Sequence, residues 1–157
     1  MASILTDSDI GALIDEAKSL PANYRERIVL KAKRGHKERE LSLMGSAGSQ
    51  FRLILRQSNF NSLDFSVILA FEFPTSTQQF RLRRYNGKSH QHSNGLEHTP
   101  PFYDFHIHIA TQRYQEGGFR EDAFAEPTTR YADFNGALSC MLEDCGFILP
   151  EQELFLF

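Results

Sequence analysis

Tryptophan is absent from this 157-residue chain, and cysteine occurs only twice, at Cys140 and Cys145. Two cysteines five residues apart make no disulfide framework of the secreted type, so a reducing compartment is expected. The N-terminal Met1-Ala-Ser-Ile-Leu-Thr-Asp7 has no basic segment leading into an apolar run, and no apolar run elsewhere approaches transmembrane length. The expectation is a cytoplasmic protein with no membrane partner. An excess of positive charge is missing too. Seventeen Lys and Arg against twenty Asp and Glu give a net charge of −3, which disfavours bulk nucleic-acid binding by phosphate neutralisation. Neither a Gly-rich phosphate loop nor a Gly-x-Ser-x-Gly elbow occurs.

What is present is a globular composition, 41% hydrophobic and 24% charged, with fourteen Phe to build a core. That fits a single domain over residues 1–157. The charges divide along the chain. Residues 81–120 hold six Lys or Arg against three acids, and residues 121–157 hold eight acids against Arg130 alone. A basic, His-rich face beside an acidic end suits a local phosphate-binding patch.

Apolar spacing at Ile10, Leu13, Ile14, Ala17 and Leu20 predicts a first helix, capped by Thr6 or Asp7 and stopped by Pro21. Period-two patterning then dominates. Strands are expected over 26–33 and 37–44, then Phe51–Arg56, Phe65–Phe73, Phe80–Tyr85 and Phe105–Ala110. The polar stretch Lys88–Pro101 reads as a long functional loop, and 115–130 as an irregular connection. Leu138, Met141, Leu142 and Cys145 predict a last helix, begun at Asp133 or Asn135 and ended by Gly146. The fold class expected is α+β, a mostly antiparallel sheet of five or six strands flanked by an N-terminal and a C-terminal helix.

The chemistry concentrates in one segment. Five of the six histidines fall between residues 90 and 108, in two His-x-His pairs, His90/His92 and His106/His108, with His98 between them. On a strand, each pair at i, i+2 puts both imidazoles on one face. Imidazole titrates near neutrality and is the commonest metal ligand. Two chemistries follow. In the first, His106 and His108 act as acid and base on RNA or another phosphodiester, with His90 and His92 supplied from the loop. Arg81, Arg83, Arg84, Tyr85, Asn86, Arg113 and Tyr114 then bind the substrate. In the second, a divalent metal is the cofactor. Gly87-x2-His90-x-His92-x4-Glu97 resembles the first half of the cupin metal motif, with His106 or His108 completing the ligand set. The downstream Pro-x-Gly…His half of that motif is absent.

The string Arg83-Arg-Tyr-Asn-Gly-Lys-Ser-His-Gln-His-Ser-Asn94, with Phe105-His-Ile-His-Ile-Ala-Thr-Gln-Arg-Tyr-Gln115, resembles a prokaryotic protein family of uncharacterised activity. More distantly, an Arg-Tyr-Asn turn followed by paired histidines resembles the TumE-type toxins of toxin–antitoxin systems, which act on RNA. That resemblance implies roles for Arg84, Tyr85, Asn86, His90, His92, His106 and His108. The reading reached is a His/Arg-rich site that binds or cleaves RNA or another phosphodiester, as a ribonuclease-like phosphodiesterase if it is an enzyme. The alternatives are a metal-binding protein using His90, His92, Glu97 and His106, or a non-catalytic module whose acidic end docks a protein partner.

Overall fold

The computed structural model describes residues 4–150. The chain runs α1 (Asp7–Asp15), β1 (Lys18–Ser19), α2 (Tyr24–Arg27), β2 (Lys31–Ala32), β3 (His36–Met44), β4 (Gln50–Ser58), β5 (Phe65–Glu72), β6 (Gln79–Asn86), β7 (His106–Ile109), α3 (Gln112–Glu116), β8 (Ala125–Pro127), α4 (Phe134–Asp144) and β9 (Phe147–Ile148). Strands β2 to β8 form one seven-stranded sheet in sequence order, every neighbour antiparallel. The architecture is α+β. The sheet has more strands than the five or six expected, because β8 forms inside the stretch read as irregular.

Alternation along the central strands explains the layering. Leu41, Leu43, Phe51, Leu53, Leu55, Val67, Leu69 and Tyr85 are all buried on one face. Helix α4 packs over β5 and β6 there, and Ile10 and Ile14 of α1 join the same core. No helix among the described residues is long and apolar enough to cross a membrane.

Two segments depart from the expected elements. Residues 26–33 do not make a strand; they divide between the end of α2 and the two-residue β2. The first helix stops at Asp15 rather than running to Leu20. Thr6 caps its start, accepting from the Asp9 amide while Asp9 accepts from the Thr6 amide. Its end is set by Lys18, whose side chain is fully buried. The Lys18 ammonium donates to the carbonyls of Leu13, Ile14, Glu16 and Cys145 at 2.7–2.9 Å. Those oxygens lie at the C-terminal ends of α1 and α4, where carbonyls have no partner within a helix. Apolar periodicity through Leu20 hides this, since a buried lysine breaks no hydrophobic pattern. Gly146, at φ +75°, lets the chain pass α1: a Cβ there would lie 2.7 Å from the Glu16 carbonyl oxygen.

A candidate three-histidine metal centre

The site lies on the sheet face away from the helices, at β6, β7 and β8. In the β6–β7 ladder Asn86 pairs with His106 and Arg84 with His108. Both histidines therefore share a face, as their i, i+2 spacing requires. Both are buried, at 1% and 4% exposure, because residues 87–105 fold back over this face. That long loop is ordered by its own backbone: His92 and Phe102 exchange N–H···O bonds of 2.8 Å in both directions. The loop begins at Gly87, where a Cβ would stand 1.8 Å from the Leu63 carbonyl oxygen, so only glycine fits.

The backbone pairing brings His92 onto the strand pair. Its ring lies 5.5 Å from that of His106, nearly parallel, and 4.9 Å from that of His108. One ring nitrogen from each of His92, His106 and His108 lies within 4.8 Å of the others. Each ring is also held by the protein through one of its nitrogens. His106 Nδ1 donates to the Asp104 carbonyl (2.9 Å) and His108 Nδ1 to the Asp122 carbonyl (2.7 Å). A carbonyl only accepts, so both rings carry their proton on Nδ1 and present Nε2 as a lone pair. His106 Nε2 is buried with no hydrogen-bond partner.

His92 is oriented through Asn94. The Asn94 amide is fixed by the backbone of Ala125, donating Nδ2–H to the carbonyl (2.8 Å) and accepting the Ala125 N–H on Oδ1 (2.9 Å). Oδ1 also stands 2.9 Å from His92 Nε2. Its orientation makes it an acceptor, so His92 Nε2 is the donor and Nδ1 is unprotonated. Orienting hydrogen bonds of this kind, to the ring nitrogen that does not bind, are what metal-ligating histidines require. Asn94→Ala is expected to weaken metal affinity about 10- to 100-fold without abolishing it, measured by competition against a chromophoric chelator. Unchanged affinity would remove Asn94 from the site.

Burial lowers the pKa of His106 to about 4 and of His108 to about 2, with the Arg84 charge adding to the shift of His108. Both rings are neutral at pH 7, the state that ligates metals. Each has already given its one N–H to a main-chain carbonyl, which leaves no proton for a leaving group. The folded values lie below the ordinary value near 6.5, so the unfolded chain binds protons first as the pH falls. The contribution of the two rings to the stability of the metal-free protein is thus complete above about pH 6.5 and is lost as the pH falls from there, down to about 4 for His106 and about 2 for His108. Two such groups predict a loss of roughly 4 kcal/mol between pH 7 and pH 5, seen as a falling thermal midpoint. A midpoint flat across that interval would contradict the buried neutral state.

The other candidates of the sequence distribute as follows. His90 is exposed at the rim, its ring 6.3 Å from His106 and its Nδ1 3.0 Å from Ser89 Oγ, and it does not join the three-nitrogen group. Glu97 is turned away from the histidines, paired with Arg113 and accepting from Tyr114 Oη. Of the metal candidates, His92, His106 and His108 are brought together, whereas His90 and Glu97 are not. Arg113 and the fully buried Tyr114, expected as a clamp or stacking platform, instead pin the loop. Arg81, expected to bind substrate, pairs with Ala70 and is engaged by Glu121, through its backbone N–H at 3.0 Å and its guanidinium at 4.0 Å. Arg83 and Tyr85, expected to bind substrate, point to the helical side; Tyr85 Oη donates to Asp144 Oδ2 at 2.6 Å. The cause is a β-bulge opposite Leu69/Ala70, where Arg81 pairs with Ala70 and Arg83 with Leu69, so Leu82 is extra. One inserted residue exchanges the faces beyond it, which brings Arg84 and Asn86 to the histidine side.

Asp122 and Arg120, which no motif announces, complete the surroundings. Asp122 is fully buried, 3.2 Å from Arg84 Nε and 3.6 Å from an Arg120 terminal nitrogen.

No protein-family model, no curated protein and no solved structure matches this chain. The resemblances drawn from the short histidine strings gain no family assignment from these comparisons.

Proposed function

We propose that this protein binds one first-row divalent metal ion through His92, His106 and His108, leaving a coordination position for water or substrate. The observation that carries the reading is the convergence of three histidine nitrogens, one from a loop and two from a strand. Two of them are set in the ligating tautomer by main-chain carbonyls, and the His106 nitrogen is left buried and unpartnered. An orphaned buried nitrogen costs stability unless something binds it.

The donor set is all imidazole, without thiolate or carboxylate, which suits Zn²⁺, Ni²⁺, Cu²⁺ or Fe²⁺ rather than Mg²⁺ or Ca²⁺. Three histidines with a fourth, open position form the arrangement of catalytic rather than structural zinc. A tetrahedral ion with bonds of about 2.0–2.1 Å needs nitrogens roughly 3.3 Å apart, a spacing compatible with ring nitrogens that all lie within 4.8 Å of one another. A bound ion of this kind acidifies its water and polarises an oxygen placed beside it.

Elemental mass spectrometry on untagged protein prepared without chelators tests the reading. About one transition-metal ion per chain is expected, and Co²⁺ loaded into stripped protein should give the visible bands of a low-coordinate histidine site. Protein that holds no metal and takes up no Co²⁺ at micromolar concentration would overturn it.

A further inference from the structure

We infer that the solvent-facing side of this centre is a phosphoryl-binding pocket with Arg84 and Arg120 as its cationic walls, and that its ligand class is a phosphodiester. The inference rests on the metal reading above and adds the group that meets the ion.

A cavity of about 240 Å³ is lined by His92 and His108 together with Arg84, Arg120 and Asp122. The ion would therefore be reached through a vestibule walled by two guanidiniums. Their one acidic neighbour there is Asp122, so the walls keep one net positive charge before any ion is added. Asp122 lies 3.2 Å from Arg84 Nε and 3.6 Å from a terminal nitrogen of Arg120, and neither of its oxygens makes a directed hydrogen bond. A guanidinium has five N–H donors. No hydrogen bond from the other nitrogens of Arg84 or Arg120 occurs among the described residues, so most of that donor capacity is unspent. Arg84 is desolvated, which lowers its pKa and strengthens its pull on an anion. Arg120 is 59% exposed at the mouth, placed to meet a ligand as it enters.

The form of the anion follows from the adjoining space. A second cavity, of about 350 Å³, shares Arg84, Asn86 and His90 with the first and continues across the same face. Beyond that wall it adds His36, Arg56, Ser58, Asp64, Phe65 and Ser66, a mostly polar lining in which the one further cation, Arg56, offsets the one acid, Asp64. A carboxylate offers two oxygens and nothing to occupy this trough. A phosphodiester offers two non-bridging oxygens, one for the ion and one for the arginine fork, and a substituent on each side. Hydroxyl-bearing substituents, as on a sugar phosphate, match the trough.

The test uses the full chain loaded with Co²⁺, titrated with inorganic phosphate, dimethyl phosphate and acetate while the visible spectrum is followed. Phosphate and dimethyl phosphate should both move the bands, at concentrations at least tenfold below any effect of acetate. Arg120→Ala and Arg84→Met should each weaken phosphate at least tenfold with Co²⁺ content unchanged. Arg120 is exposed enough that its loss leaves folding intact, so that variant reads the pocket and not the fold. Normal Co²⁺ bands that ignore phosphate, equal response to acetate, or wild-type phosphate affinity in both variants would overturn the pocket while leaving the metal site standing. Absence of the Co²⁺ bands at the outset would instead remove the metal centre, and the pocket with it.

Discussion

Replacing His106 by Ala should lower metal affinity by at least a thousandfold while the protein stays folded. His106 is the most enclosed of the three ligands, and its free nitrogen has no other partner. Removing one of three imidazoles leaves two, which hold a borderline divalent ion only weakly; each tenfold in affinity is about 1.4 kcal/mol. The fold should persist because the backbone of His106 does the structural work: its carbonyl accepts from Tyr131 Oη at 3.0 Å, and its place opposite Asn86 is set by the ladder. A buried imidazole that cannot be protonated favourably is no asset to the metal-free protein, so a small change of either sign in the apo thermal midpoint is expected. Calorimetric titration with Zn²⁺, beside the far-ultraviolet spectrum, separates the two effects. His90→Ala and Glu97→Ala are the controls and should each bind within a few-fold of wild type. If Glu97→Ala lost the metal and His106→Ala kept it, the ligand set drawn here would be wrong.

Lys18→Met should destabilise the protein by about 3 kcal/mol, which for a chain of this size is a drop in thermal midpoint of roughly 10 °C, while metal stoichiometry is unchanged. Burial pulls the Lys18 pKa down to about 8, still above neutrality, so at pH 7 the group is an ammonium with three N–H donors. Methionine matches its length and removes the cost of burying a charge. It also strands four carbonyls that converge on one point. Each unsatisfied buried acceptor costs about 1–3 kcal/mol, and the ends of α1 and α4 cannot move apart to reach water without opening the β1–β9 pair. The Lys18 ammonium also lies 4.5 Å from the Phe51 ring centroid, a cation–π contact that methionine loses. Denaturant melts of metal-free protein measure the effect, and an unchanged midpoint would mean that water or backbone movement satisfies those carbonyls.

The strands that alternate over seven residues or more could be read from composition, since one-sided burial imposes period two on β3 to β6. The three-residue β8 could not. Ala125-Glu-Pro127 has no β-branched or aromatic residue, and it pairs because β7 offers an open edge beside it. Length misled at α1 for the opposite reason, as helical periodicity continued past the lysine that ends the helix. At the candidate site, density of histidine pointed to the segment in which three of the rings converge. It could not tell His92 from His90, because their separation depends on which loop residue pairs with Phe102. Nor could it exclude Glu97, whose partners Arg113 and Tyr114 come from α3, an element with no apolar pattern to announce it. The arginine assignment turned on a single bulge. Strict alternation from Phe80 places Arg83 among the histidines, and the extra Leu82 exchanges it for Arg84.

The Asn94 side chain bonds to both polar groups of Ala125 on the outer rim of β8, away from β7. It stands there as one peptide group of an eighth strand would. Terminal strands of a sheet invite pairing with another chain, and proteins guard them with charge, proline or a covering segment. Here Pro127 lacks an N–H, Glu126 is charged, and the amide of Asn94 closes the position between them and the rest of the strand. The residue that orients His92 therefore also covers this edge of the sheet, so a single side chain serves both the histidine group and the outer rim of β8.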